Sequence, residues 1–332
     1  MKVYILSRFI QMILLLLLVS IVAFLIIQLP PGDWVTRYVA SLESQLGVTL
    51  DRDFIEGLRE QLGFGRSPIE QYFFWMGNLL RGDMGRSLEW RQPVSQLIGD
   101  RLVMTLVLSL LTLLFTYLIA IPIGIYSARR QYSITDYVFT TLGFIGIATP
   151  SFFLALVLMY FFSTYFGASV GGLQSIEFMG QPWSFARFID LLKHLPLPVF
   201  VIGIAGTASV MRVMRGQLLD EIKRPYVVAA RARGLEENYL IRRYPVRVAL
   251  NPIISQGGNL LAAIVSGMTI TAIVMNIPNI GSLLFNALLS QDLYLAGSAI
   301  MILSAMTVIG MFISDMVLLV VDPRIALTGQ GR

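Results

Sequence analysis

The feature that most constrains this chain is the run from Phe9 to Leu29, which carries no charge and few polar side chains. About 20 such residues, rising 1.5 Å each as a helix, cover the hydrocarbon core of a bilayer. No water is present there to satisfy free backbone groups, so a spanning segment of this kind must be helical. Lys2 and Arg8 precede the run. A cleaved signal peptide is the competing reading. The run is longer than a typical signal core, however, and Leu29-Pro30-Pro31-Gly32-Asp33 offers no small-x-small cleavage site. The expectation is a first transmembrane helix within residues 1–29.

Five further apolar runs follow: 102–126 with Pro122 inside, 137–162 with Thr149-Pro150-Ser151 in its middle, 194–211, 257–277 and 296–321. Only 14% of the 332 residues are charged, 56% are hydrophobic, and the mean hydropathy is +0.72. Soluble domains carry roughly 25% charged residues. The expected class is therefore all-α, a polytopic membrane protein with six transmembrane helices.

Residues 30–101 differ in kind, with ten acidic and eight basic side chains and turn signals at Pro30-Pro31-Gly32 and Gly63-Phe64-Gly65. Phe54, Ile55, Leu58 and Leu62 fall near helical spacing. A second helix is expected over 69–80, opening after Ser67-Pro68 with Glu70 in its first turn. It carries the aromatics Tyr72, Phe73, Phe74 and Trp75, suited to packing on a helical bundle or lying at the membrane interface.

Six spans place both termini on one side. Arg129 and Arg130, the bases of 212–256, Arg324 and Arg332 fall on that side, whereas the opposite short loops carry only Arg187 and Lys193. Loops beyond roughly 60 residues have little topological force, so the bases within 30–101 do not weigh against this. Both termini and 212–256 are expected in the cytoplasm, with 30–101 outside. The formal charge of +5 follows from this topology, and no nucleic-acid partner is implied.

The chain lacks the groups most chemistry needs. Cysteine is absent, His194 is the sole histidine, and the lysines are Lys2, Lys193 and Lys223. None of these follows a glycine-rich turn, so there is no G-x-x-x-x-G-K-[ST] site for ATP. Metal sites built on Cys or on several His are excluded. His194, at a span boundary, reads as an interfacial residue. Asp315 is the one carboxylate within a span and is a functional candidate by position, although its nearness to Asp322 fits a structural role. Neither Pro122 nor Pro150 has a carboxylate beside it, which argues against an ion-coupled carrier.

What remains is a membrane pathway without an energy source, and a segment fit to receive one. Residues 212–256 carry nine Arg/Lys and four Asp/Glu between two apolar runs. Asp220 and Glu221 are expected early in a helix. Ala229, Ala230 and Ala232 offer a small-residue surface, Arg231 and Arg233 add charge, and Gly234 is suited to the left-handed turn that ends a helix. Leu235-Glu236-Glu237 then opens a second helix towards Pro245. Such a turn can dock in a groove of another protein or lie on anionic lipid.

Val228-Ala229-Ala230-x-x-x-Gly234, followed by Ala249-Leu250-Asn251-Pro252, resembles the cytoplasmic EAA loop of ABC importer permeases, with Val228 in place of the Glu. The run Ala229 to Leu235 is similar to the version in dipeptide/oligopeptide/nickel importers. So are Leu29-Pro30-Pro31-Gly32-Asp33, Gly77-Asn78-Leu79-Leu80-Arg81-Gly82-Asp83-Met84-Gly85-Arg86-Ser87, Ile147 to Phe152 and Asp322-Pro323-Arg324. Two departures stand out: Asn279 after Pro278, where a Pro-Gly pair is usual, and Ser314, where Asn is common.

The resemblance implies a type I importer permease fold. Residues 30–101 would form a small helical extracytoplasmic cap, and 102–332 a five-helix core carrying the coupling segment. Val228, Ala229, Ala230, Arg231, Ala232, Arg233, Gly234, Leu235, Glu236 and Pro252 would couple to the ATPase. Thr149, Pro150, Ser151, Asn276 and Pro278 would belong to the translocation pathway. The implied partners are a second homologous permease, two ATP-binding subunits holding ATP and Mg, an extracytoplasmic substrate-binding protein and the bilayer of the inner membrane. This chain itself would hold no cofactor and catalyse no reaction. Peptides, oligosaccharides and nickel chelates are all substrates within the subgroup. An ion-coupled carrier and a non-transporting scaffold are the alternatives.

Overall fold

A computed structural model describes residues 2–29, 32, 34–47, 49–61, 65–167 and 171–321. Pro30, Pro31, Asp33, Leu62, Gly63, Phe64, Asp322, Pro323, Arg324 and Arg332, used above, lie outside these. The described residues are helical, with one isolated antiparallel bridge between Arg86 and Pro93 and no strand ladder.

In chain order the helices are α1 (Lys2–Gln28), α2 (Trp34–Leu46), α3 (Arg52–Gln61), α4 (Pro68–Leu80), α5 (Val94–Arg129), α6 (Ile134–Ala148) and α7 (Ser151–Phe166). A single 3-10 turn over Ile176–Phe178 and α8 (Phe185–His194) follow, then α9 (Pro196–Ile222), α10 (Pro225–Ala232), α11 (Glu237–Arg243), α12 (Pro245–Ala249) and α13 (Asn251–Ser255). The chain closes with α14 (Gly257–Val274), α15 (Ile280–Leu289) and α16 (Leu293–Val321).

Among the described residues, five stretches are long and apolar enough to cross a bilayer: Ile5–Gln28, Val94–Arg129, Phe185–Ile222, Gly257–Val274 and Leu293–Val321. The pair α6 and α7 makes a sixth if taken as one span, but it is bent by 103°. The expected third span is thus broken rather than continuous. The fourth also differs, since α9 runs on to Ile222 instead of stopping near Met211, and α8 precedes it where a loop was expected. Pro122 lies inside the unbroken α5.

The chain forms two compact units. One comprises residues 10–104 and 279–308. Its α4 starts as the sequence predicts: Ser67 accepts from the Glu70 N–H, and the Glu70 carboxylate accepts from the Ser67 N–H at 3.0 Å. Trp75 is buried with Phe24 and Leu293, and Tyr72 donates to or accepts from Ser20 at 2.8 Å. Here Asp292 is fully buried. It accepts from the Ser87 hydroxyl at 2.5 Å and from the N–H groups of Glu89 and Leu295, both at 3.2 Å. The loop 85–93 is thereby tied to the start of α16.

The other unit comprises 1–9, 105–278 and 309–332. In it α6 packs on α9 and α7 on α14. Gly258 lets α14 approach α16 closely, because a Cβ there would overlap the Met311 backbone. Asp136, at the start of α6, takes two 2.8 Å bonds from the Nε and Nη2 of Arg215 on α9, and one of 3.0 Å from the Tyr132 N–H. Arg8 pairs with Asp315 at 3.2 Å, a structural contact for the intramembrane carboxylate. His194 sits at the end of α8, its Nδ1 2.8 Å from the Asp190 carbonyl.

Candidate functional site

The segment 212–256 begins as the last turns of α9. Asp220 and Glu221 therefore end a helix rather than open one, which corrects the expectation above. Carboxylates at a helix C-terminus oppose the macrodipole. Glu221 is compensated by Arg224 at 3.6 Å and by the Tyr226 hydroxyl, which donates to it at 2.6 Å. Burial, and then the Glu221 carboxylate, hold the Tyr226 phenol well above its ordinary range, so it remains a donor.

Helix α10 starts with Pro225 at a position that needs no backbone donor. Its underside is apolar. Val227 is fully buried, and Ala230 and Leu235 pack half-buried against the cluster of Met214, Leu218, Leu240, Ile241, Val246 and Ala249. Val228, Ala229, Arg231, Ala232 and Arg233 are exposed. Ala230 thus faces inward, and the outward small-residue face is Val228, Ala229 and Ala232.

The helix stops at Gly234, whose φ is +79°. Its N–H donates to the Arg231 carbonyl at 3.0 Å, and the Arg233 N–H to that of Ala229 at 3.2 Å. Nothing lies within 4 Å of a Cβ placed there, so glycine is favoured by backbone conformation rather than by space. Glu236 is exposed at the cap of α11.

Side chains brace this turn. Arg231 grips Glu237 through two hydrogen bonds of 2.9 and 2.7 Å. The hydrogen bond from Arg231 is the main cause that holds the Glu237 carboxyl below its usual range. Asn238 donates to Glu236 at 3.1 Å and accepts from Arg129, the last residue of α5, at 2.7 Å. The Asn238 amide thereby links the turn to the α5 terminus.

Pro252 lies apart from the turn, in the short α13 that leads into α14. The carbonyls of Ile253 and Ile254 at this joint accept from the Tyr117 hydroxyl, at 3.3 Å, and from the Ser314 hydroxyl. Ser314, one of the two departures noted above, thus satisfies a backbone group.

The expected pathway residues occupy two breaks. Thr149 is extended (φ −88°, ψ 119°) and Pro150 follows at φ −58°. The ring of a proline disfavours helical conformation in the residue before it, so the break between α6 and α7 is local in origin. Ser151 shares a 2.8 Å hydrogen bond with the buried Thr271 of α14. Asn276 has φ +54°, and both it and Pro278 are exposed after α14. Among the described residues no hydrogen bond joins Thr149 or Pro150 to Asn276 or Pro278. Asn279, the other departure, caps α15 by accepting from the Ser282 N–H at 2.7 Å.

Asp136–Arg215 and Asp292 escaped the reading of the sequence. Ser133-x-x-Asp136 is a helix-start pattern, and Ser133 does accept from the Asp136 N–H at 3.2 Å. Asp292 carries a similar local signal, since it directly precedes α16 and accepts from the Leu295 N–H three residues on; its bond to Ser87, 205 residues away, has none.

Residues 120–327 match the family described as binding-protein-dependent transport system inner membrane component, and residues 1–111 match its N-terminal region. This chain belongs to that family. It is a multi-pass membrane protein, the permease subunit of an ABC importer. It is 33% identical to the oligopeptide transport system permease protein AppB of Bacillus subtilis, over 98% of this chain and 99% of that one. It is 28% identical to the nickel import system permease protein NikB of Staphylococcus aureus (strain MRSA252), over 96% and 90% respectively. Partner ATPase and substrate-binding components are implied by the family.

Proposed function

We propose that this chain forms half of the translocation pathway of an ATP-driven importer whose substrates are peptides or similar small oligomeric solutes. A second homologous permease completes the pathway, and two ATP-binding subunits dock on the inner face. A binding protein outside delivers the substrate. ATP and Mg are held by the ATP-binding subunits, and this chain catalyses nothing itself. Both termini and 212–256 face the cytoplasm, 30–101 forms an outer cap, and 102–332 is the permease core.

The observation that carries this reading is the rigid helix–glycine–helix turn. Its inner side is packed by Val227, Ala230 and Leu235, while Val228, Ala229, Ala232 and Arg233 are left uncovered. Short side chains allow the ATP-binding subunit to approach the α10 backbone. The packed underside passes a push on the turn to α9, since a dense core transmits strain. Closure of the nucleotide-binding pair would then rock the spans between outward- and inward-facing states. Thr149-Pro150-Ser151, Asn276 and Pro278, at breaks in otherwise regular helices, are where such motion would alter the pathway. The peptide assignment leans on the likeness to AppB over nearly the whole chain.

The test is uptake into vesicles holding the full complex. Gly234→Pro removes the N–H donated to Arg231 and cannot adopt positive φ. It should abolish ATP-dependent peptide accumulation while leaving the permease in the membrane. Uptake at the wild-type rate would overturn the coupling assignment. Accumulation stopped by a protonophore and indifferent to ATP would overturn the importer reading.

A further inference from the structure

The spans expose two kinds of face. On α5 the exposed side chains Leu106, Leu110, Leu114 and Leu118 follow one another a turn apart and are all apolar, as contact with lipid tails requires. The exposed face of α9 and α14 is different. It carries Ser209, Arg212 and Gly216 on α9, Gln256 just before α14, and Asn259 and Ser266 on it. Arginine and amide side chains are costly against hydrocarbon. Ser209, Gln256 and Asn259 line one hollow of about 180 Å³, and their side chains form no hydrogen bond among the described residues. Arg212, three residues from Ser209 on the same face, lines a second hollow of about 170 Å³ between α6 and α9, walled mainly by Gly143, Phe144, Ile147, Ala208 and Met211. Its guanidinium lies 5.9 Å from the centre of the Phe144 ring and pairs with no carboxylate among the described residues. Both oxygens of Asp136 are held by Arg215. Asp220, the exposed carboxylate of α9, is eight residues further on, about 12 Å of helix rise.

We propose that this face lines the inner half of the translocation pathway and holds a weak subsite for peptide. Arg212 takes the carboxylate of the peptide's C-terminus, while Ser209, Gln256 and Asn259 exchange hydrogen bonds with its peptide bonds. This rests on the peptide-importer reading above and names side chains of this chain that touch the substrate. A guanidinium binds a carboxylate through two parallel hydrogen bonds. Hydroxyl and amide side chains each donate and accept, so they match the N–H and C=O of any peptide bond, whatever the sequence. The apolar hollow beside Arg212 is placed to receive the side chain of the last residue. Lipid is disfavoured by the contrast with the leucine face of α5. A seam against the second permease is disfavoured because interface cores are depleted in charge, whereas here an unmatched arginine stands among hydrogen-bonding groups without partners.

The chain has no cysteine, so one introduced thiol reports alone. Ser209→Cys and Asn259→Cys are compared with Leu110→Cys and Leu114→Cys on the leucine face, each in the full complex in nanodiscs. A charged, water-soluble methanethiosulfonate is added, and the mass gained by this chain is followed. Thiolates form where water reaches, so the first pair should react on the order of tenfold faster than the second. Trialanine should slow the reaction at Ser209→Cys, and trialanine amide, which lacks the carboxylate, should need about tenfold more to do so. Arg212→Gln in the same background should remove that preference. Arg212→Lys, which keeps the charge but not the two-pronged contact, should reduce it, and carries the test if the Gln variant does not elute as a single species. Slow reaction at all four positions would overturn the proposal in favour of a closed seam. Reaction of Ser209→Cys and Asn259→Cys with an apolar maleimide alone would overturn it in favour of lipid. Fast reaction that trialanine does not slow, or a carboxylate preference untouched by the Arg212 variants, would overturn the subsite. ATP-driven uptake of trialanine by wild type with its binding protein is measured alongside. Its absence would overturn the peptide-importer reading and this inference with it, whereas failed labelling with uptake intact would overturn this inference alone.

Discussion

The turn at Gly234 and the loop anchored by Asp292 both reverse the chain with polar side chains, but in opposite settings. At the turn, Arg231 and Glu237 are each nearly half exposed and pair in contact with water. Such bridges gain little, because solvent screens them and two side chains must be ordered. The conformation instead rests on Gly234 and on the apolar underside. At the anchor, Asp292 is wholly buried and is the shared acceptor of three donors. Removing it strands the Ser87 hydroxyl and the Leu295 N–H away from water. If the turn engages and releases a partner as proposed, it is braced by replaceable contacts, while the 85–93 loop is tied to α16 through one buried carboxylate.

That contrast is broken most directly at Asp292. Asp292→Ala leaves the Ser87 hydroxyl and two backbone N–H groups without their acceptor, at about 1–3 kcal/mol for each of the two buried donors, Ser87 and Leu295. The expected outcome is severe loss of folded protein, read as the detergent-solubilised monodisperse fraction against temperature. Recovery equal to wild type would remove the distinction. Next comes Asp136→Ala, which leaves the Arg215 guanidinium without its two 2.8 Å bonds. Because Arg215 is partly exposed, the loss should be smaller, about 2 kcal/mol. A double variant with Arg215→Ala should recover part of it in the same thermal assay.

Gly234→Ala should lie lower still. A Cβ meets nothing there, so the penalty is the left-handed backbone alone, about 1 kcal/mol. Thermal stability should barely move, whereas peptide uptake should fall several-fold, because the strain is relieved by distorting the docking face. Equal losses in the two assays would mean that the turn serves the fold rather than the partner.

How legible these regions were in the sequence follows the same physics. Gly234, the capping box at Ser67 and the start of α4 were readable because each is decided within four residues. So were the spans, whose hydrophobicity is a property of composition. The break at Thr149-Pro150-Ser151 was only half readable: the proline was plain, but the size of the bend depends on what α6 and α7 pack against. The inward orientation of Ala230 was hidden for a similar reason. In a run of alanines, periodicity does not say which one faces the core. Arg215 was hidden altogether, since its partner is brought to it by the fold; for Asp292 the local spacing could announce only the cap of α16, not the bonds to Ser87 and Glu89.

The smallest effect expected is that of Glu237→Gln, and it is the sharpest probe of the exposed brace. The hydrogen bond from Arg231 lowers the Glu237 pKa in the folded chain. A depressed carboxyl contributes its stabilisation above its unfolded pKa of about 4.3 and loses it as pH falls through the lower folded value. Between pH 6 and 8 the bridge is therefore fully formed, and uptake should show no pH dependence from this group. Replacing the carboxylate by an amide keeps one hydrogen bond and removes the charge, so transport at neutral pH should fall less than about twofold, with the difference shrinking further at high salt. The measurement is initial uptake rate at low and high ionic strength. A loss as deep as that of Gly234→Ala would place the rigidity of the turn in the ion pair, and the contrast with Asp292 would then be one of degree only.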